Sequence, residues 1–251
     1  MNTTQQLRVT ISDISIEFIT ENAVLLLWPE NIDEAQHHHI LAIQQEINSR
    51  LGQKLIDSVA SYNSLIIYYH FTSLSAEHLF FVLSEIISET PTSSSLILTA
   101  NSNDKTSVVE IPVLYNEVAG WDLATVASAT KLSCNDVVNI HSQSEYRAYA
   151  LGFTPGFCYL ASLDECLILP RMQTPRIRVP KGAVAIAGSQ TAVYPNESPG
   201  GWHIIGQTPL PMYSLSEGFS PTISVGDTVK FRAIDEEEFQ RLGGQVQQES
   251  R

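Results

Sequence analysis

Residues 146–211, YRAYALGFTPGFCYLASLDECLILPRMQTPRIRVPKGAVAIAGSQTAVYPNESPGGWHIIGQTPLP, limit the fold more than any other part of the chain. The apolar runs here are short and broken by Gly and Pro, so short strands fit and long helices do not. Strands are predicted over 146–151, 158–160, 183–187, 191–194 and 202–205, and then over 212–215 and 228–233. Val225-Gly226-Asp227-Thr228 reads as the turn into the last of them. A β-barrel or sandwich is the expected fold of this half. It opens with a strand over 106–114 and two short helices, 123–129 and 135–141, the second capped by Ser133 or Asn135. The polar tail after Asp235 either frays or forms a short helix over 236–241.

The N-terminal half follows different periods. Ile14, Ile16 and Phe18 alternate with polar residues, so two or three strands are expected over 7–28. Pro29 stops them, and Asn31 or Asp33 caps a helix running to about Arg50. Strands over 55–62 and 65–71 precede a helix over 76–88, capped by Ser75, with Leu79, Leu83, Ile86 and Ile87 on one face. This order predicts an α+β domain with its helices on one sheet face. Loop composition over 90–95 and 101–105 divides the chain into an α+β domain, 1–100, and a mainly-β domain, 101–251.

Charge separates the two halves further. The chain carries 14 Lys plus Arg against 27 Asp plus Glu, a net of −13. Yet no acid occurs from Cys166 to Asn196, where Arg171, Arg176, Arg178 and Lys181 all fall. Residues 146–211 also hold seven of the 13 glycines. A cationic, glycine-rich island in an acidic chain suits a small anion held by guanidinium forks and backbone amides. The overall acidity argues against nucleic acid or an anionic membrane as partner. No apolar stretch reaches the roughly 20 residues of a spanning helix, and the start lacks signal-peptide character, so the chain reads as cytosolic. Three cysteines without a CxxC pair indicate neither a disulfide framework nor a zinc site, and Cys158 reads as a buried small residue rather than a nucleophile. Consecutive His37, His38 and His39 point ~100° apart on a helix, which favours a solvated surface over a shared metal.

Within the island, Gly152-Phe153-Thr154-Pro155-Gly156-Phe157 sets a tight turn between aromatics. Phe153 and Phe157 either cover a flat ligand or fill the barrel, and the pattern does not choose. Arg171 and Arg176, each behind a proline, are held rather than mobile; surface solvation is their alternative role. Ser198-Pro199-Gly200-Gly201-Trp202 offers glycine N–H groups to an oxyanion, and Gln190 and Tyr194 add neutral polar groups. Neither of the two common nucleotide-loop patterns is present, and His203 stands alone.

The run GFTPGFCYL…LPRMQTPRIRVPKGAVAIAGSQTAVYPNESPGGWHIIGQTP resembles the signature of one bacterial family. Its members are the B subunit of 5-oxoprolinase, a sensor-histidine-kinase inhibitor, and allophanate hydrolase subunit 1. The resemblance extends to the lead-in LSCNDVVNIHS and implies a C-terminal cyclophilin-like β-barrel. Three departures stand out: Gln207 where the family commonly has Arg, Ala183 where it often has Ser, and Asn116-Glu117 in place of a glycine pair. The family implies one subunit of an ATP-dependent enzyme that opens 5-oxo-L-proline to L-glutamate, with ATP and Mg²⁺ as co-substrate and subunits A and C as partners. A lactam is a poor electrophile, so coupling to ATP drives its opening. On this reading Arg171, Arg176 and Lys181 take the anionic groups, and Gly188, Gly200 and Gly201 supply backbone donors. Phe153, Phe157 and Tyr159 form the wall, with Pro155, Gly156, Gln190, Tyr194 and Trp202 beside them. The alternatives are a regulator docking on a sensor histidine kinase, an allophanate/urea amidolyase-type subunit and, from fold analogy alone, a prolyl isomerase.

Overall fold

A computed structural model describes residues 8–91 and 108–246. The loop readings at 92–95 and 101–105, and the predicted strand starts at Leu7 and Thr106, lie outside them. Two compact units divide the chain, Met1–Lys105 and Thr106–Arg251.

The first unit is a five-stranded sheet of β1 (Arg8–Ile11), β2 (Ile14–Thr20), β3 (Ala23–Leu27), β4 (Leu55–Ala60) and β5 (Ser64–Tyr69). The order is β1-β2-β3-β5-β4, and every pair is antiparallel. Helix α1 (Glu34–Leu51) starts at Asp33, whose carboxylate accepts from the N–H groups of Ala35 and Gln36. Helix α2 (Ala76–Glu89) starts at Ser75, whose hydroxyl accepts from His78 N–H. Alternate strand residues Ile16, Leu26 and Ile67 share one core with Ile43, Leu83 and Ile86, so both helices cover the same face.

The histidines correct the sequence reading. His37 and His39 are 0% and 3% exposed, on the face of α1 that also buries Ile40 and Ile43. Their burial is possible because the polar atoms of His39 are matched. Its Nδ1 accepts from Trp28 Nε1–H at 3.3 Å, which leaves the proton on Nε2, facing Thr90 O at 3.3 Å. Burial lowers the pKa of His39. His38 points elsewhere, 3.6 Å from Glu34.

In the second unit, β6 (Val108–Leu114) leads to α3 (Leu123–Thr130) and α4 (Cys134–Gln143). A capping box between Ser133 and Asp136 opens α4. The strands β7 (Glu145–Leu151), β8 (Cys158–Ala161), β9 (Arg176–Val179), β10 (Ala183–Ala187), β11 (Gln190–Val193), β12 (Ser198–Gly200) and β13 (His203–Gln207) follow. After them come β14 (Tyr213–Ser214), β15 (Ser220–Pro221), β16 (Thr228–Ile234) and the short helix α5 (Glu236–Arg241). Seven strands close a barrel in the order β10-β11-β8-β7-β16-β6-β13. Only β6 and β16 run parallel within it. The fold is therefore an α+β unit followed by a mainly-β barrel. Three strands were not expected: β15, which pairs with β14, and β9 and β12, which pair with each other as a separate arm despite Pro175 and Pro180 beside β9 and Pro199 within β12.

Every barrel strand sends alternate side chains to one shared core, among them Ile111, Leu160, Val184, Ile205 and Phe231. His141 from α4 is buried with them and stacks on Phe231 at 4.6 Å. Its hydrogen bonds have one consistent direction. Thr191 Oγ1 donates to Ala185 O, so it accepts from His141 Nε2 at 2.9 Å, and His141 Nδ1 accepts from Tyr115 OH at 2.7 Å. Burial lowers the His141 pKa to about 3. The unfolded chain, with an ordinary value of about 6.5, binds this proton first, so stability present above pH ~6.5 is lost as pH falls toward 3. Between pH 6 and pH 4.5, the unfolding free energy should fall by about 1.4 kcal/mol per pH unit from this group. Urea melts of His141→Gln should show that slope reduced by one proton. Equal slopes in the variant and the native chain would refute the assignment.

Candidate functional site

The face of β10 turned away from the barrel interior carries Ala183, Ala185 and Ala187, which join Ala192 of β11 and Ile204 of β13. These small side chains form a bed on which Phe157, Tyr194 and Trp202 lie. Phe157 is the centre of the cluster. Its ring meets Tyr159 at 4.9 Å, Phe153 at 5.3 Å, Tyr194 at 5.4 Å and Trp202 at 5.9 Å, each edge to face. Two glycines permit this packing. Gly156 sits at φ +83°, where a Cβ would collide with Tyr213 and the Met212 carbonyl, and a Cβ on Gly200 would strike the Tyr194 hydroxyl.

Above the rings is a cavity of about 190 Å³. Phe153, Phe157, Tyr159, Tyr194 and Trp202 make one side of it. Arg171, Met172, Pro175, Pro199, Gly200 and Gly201 make the other. The second side is pinned to the barrel at several points. Gly188 N–H donates to Leu169 O at 2.7 Å, His203 Nε2–H to Pro170 O at 2.9 Å, and Met172 N–H to Gly201 O at 2.8 Å. At its far end Arg176 forms a two-pronged bond with Asp122, Nη1 to Oδ2 at 2.9 Å and Nη2 to Oδ1 at 2.7 Å. Asp122 Oδ2 also accepts from Ile204 N–H at 2.7 Å, which ties the arm to β13. The Arg176 guanidinium rests 5.6 Å from the Trp121 ring centre.

Of the residues singled out in the sequence, Phe153, Phe157, Tyr159, Arg171, Tyr194, Gly200, Gly201 and Trp202 meet at this cavity. The others do not line it, for identifiable reasons. Arg176 is held by Asp122. Lys181 is exposed in the turn from β9 to β10. Gly188 lies in the β10–β11 turn with its N–H spent on Leu169, and Gln190 begins β11 beyond it. Pro155 and Gly156 form the turn behind Phe157, against Met212 and Tyr213. Arg178, also in the cationic window, pairs with Glu197 at 2.8 Å. The expected convergence of several cations on one spot thus reduces to Arg171. Its guanidinium stands 5.9 Å over the Trp202 ring, with no carboxylate partner among the described residues. Sequence reading missed Met172, Pro175, Pro199 and, above all, Asp122.

Burial pushes the Tyr194 hydroxyl up to about 12, partly opposed by Arg171 and by the Trp202 N–H. The phenol therefore stays protonated. Cys158 is buried and its thiol pushed up by desolvation, so it is an inert core residue. Gln207 lies away from the cavity, its amide donating to Lys181 O at 2.9 Å. No set of His, Cys, Asp and Glu side chains among the described residues is arranged to hold a metal ion. No helix among them is long and apolar enough to cross a membrane.

Barrel and pocket belong to the carboxyltransferase class: residues 14–222 match the family described as carboxyltransferase domain, subdomain C and D. The 5-oxoprolinase B subunit of Bacillus subtilis (strain 168) is 33% identical over 227 residues, covering 89% of this chain and 94% of that one. The chain belongs to the family of 5-oxoprolinase B subunits. Among solved structures, TTHA0988 matches with a TM-score of 0.72 at 35% identity, over 85% of this chain. The match spans 40% of the TTHA0988 chain. Urea carboxylase of Kluyveromyces lactis shares the fold, with a TM-score of 0.71 at 17% identity, over 94% of this chain and 23% of that one. The name that the Bacillus relative carries denotes one component of a multi-subunit enzyme.

Proposed function

We propose that this chain is the B component of an ATP-dependent 5-oxoprolinase, which opens 5-oxo-L-proline to L-glutamate together with companion subunits A and C. The observation that carries this reading is the similarity to a 5-oxoprolinase B subunit along 89% of the chain. The pocket supports it. Flat aromatic walls suit a small planar amide ring, and one unpaired guanidinium suits its carboxylate. The lining residues include no carboxylate, imidazole or amine, and Tyr194 is too weak an acid to serve as a base near neutral pH. Proton transfer and phosphoryl chemistry therefore fall to the companions, and the chain alone is inactive.

The fold shared with urea carboxylase is compatible with an allophanate or urea substrate, but at 17% identity it supports fold alone. Phe153, Leu215 and Phe219 are 63%, 67% and 53% exposed. Phe153 lines the pocket, and Phe219 packs at 5.6 Å on Tyr213, which abuts the Gly156 turn behind Phe157. Exposed apolar groups of this kind fit the docking of a companion subunit.

Reconstitution tests the reading. The three purified components together should release glutamate from 5-oxo-L-proline only when ATP is supplied, and this chain alone should release none. Glutamate release by the isolated chain at the rate of the mixture would overturn the division of labour. A mixture that hydrolyses allophanate and not 5-oxoproline would overturn the substrate.

A further inference from the structure

We propose that this pocket is the acid-recognition site of the complex: Arg171 reads the ligand's free carboxylate, the ring cluster holds its flat amide, and ATP binds on a companion chain. The proposal rests on the 5-oxoprolinase reading and narrows it.

Size comes first. A cavity of about 190 Å³ is smaller than the ~300–1,000 Å³ of pockets that enclose drug-sized ligands. It takes a single small ring with its substituent. A nucleoside triphosphate is too large to be enclosed there.

Charge agrees. A triphosphate is bound by several cations, by a metal ion, or by a glycine loop opening a helix. Here Arg176 is committed to Asp122 and Arg178 to Glu197, which leaves Arg171 as the pocket's cation. No metal-binding set of side chains occurs among the described residues. The Pro199-Gly200-Gly201 stretch is no phosphate loop either. Gly200 is a strand residue paired with Arg176, and its bare Cα serves the close approach of Tyr194. One guanidinium fork instead matches one carboxylate, and the rings of Phe157, Tyr159 and Trp202 beside it offer an apolar slot for a five-membered ring.

The test is a split of kinetic constants in the reconstituted complex. Arg171→Gln should raise the KM for 5-oxo-L-proline about ten- to a hundredfold, the usual loss for a charge-assisted pair, and leave the KM for ATP unchanged. Arg171→Lys should fall between the two. Against the native complex, 2-pyrrolidinone, which lacks the carboxylate, should inhibit at least about tenfold more weakly than a carboxylate-bearing ring analogue. That disadvantage should vanish in Arg171→Gln. A matching rise in the KM for ATP, or an unchanged KM for 5-oxoproline, overturns the proposal. If the native complex does not turn over 5-oxoproline, the functional reading fails by itself, and titration of the isolated chain by tryptophan emission decides for the pocket. Saturation by 5-oxoproline that Arg171→Gln abolishes sustains the proposal. No response to it, or saturation by Mg²⁺-ATP instead, sinks it.

Discussion

Asp122→Ala is expected to cost the barrel unit about 3–5 kcal/mol, the range for removing one partner of a buried ion pair. The two side chains are only 7% and 14% exposed, so Arg176 would stay charged and desolvated without its carboxylate counter-charge. Ile204 N–H would lose its acceptor at the same time. Urea unfolding followed through Trp121 and Trp202 measures the effect. Replacing both partners by apolar residues, Asp122→Leu with Arg176→Met, should recover most of the loss, because no orphaned charge remains. A midpoint for Asp122→Ala within experimental scatter of the native one would show that the pair does not hold the arm.

Phe157→Ala should be nearly as damaging, about 3–5 kcal/mol, because the ring is 2% exposed and central to four aromatic contacts. Its removal also takes away the floor of the cavity, so 5-oxoproline affinity should disappear with it. The neighbouring Phe153→Ala is the control. At 63% exposure it should change stability by no more than about 0.5 kcal/mol. Similar melting curves for the two variants would mean that Phe157 is not the keystone of the cluster.

The barrel was legible because Gly152, Gly188 and Pro195 close several of its strands, and punctuation is a local signal. The β9–β12 arm was not. Prolines at 175, 180 and 199 read as loop, and only a tertiary partner reveals that residues 176–179 and 198–200 form a ladder. The aromatic side of the pocket could be read from GFTPGFCYL and PGGW, since a turn between rings brings them together through short-range geometry. The cations were harder. An acid-free window from Cys166 to Asn196 says nothing about acids that fold over it, and Asp122 lies 54 positions before Arg176. Glu197, one residue past the window, takes Arg178. The histidines failed for a related reason. Three in a row read as polar surface, yet two of them find matched hydrogen-bonding environments or apolar cover inside the first core.

The row of alanines on β10 has a bearing on how such sites change. None of Ala183, Ala185 and Ala187 borders the cavity, but their methyl groups are the foundation beneath the rings that do. A bulkier residue in that row raises the floor, and a glycine lets it sink. The dimensions of an acceptable guest are thus written one layer below the surface that meets it, where descendants of this chain can revise them without altering a single contacting side chain.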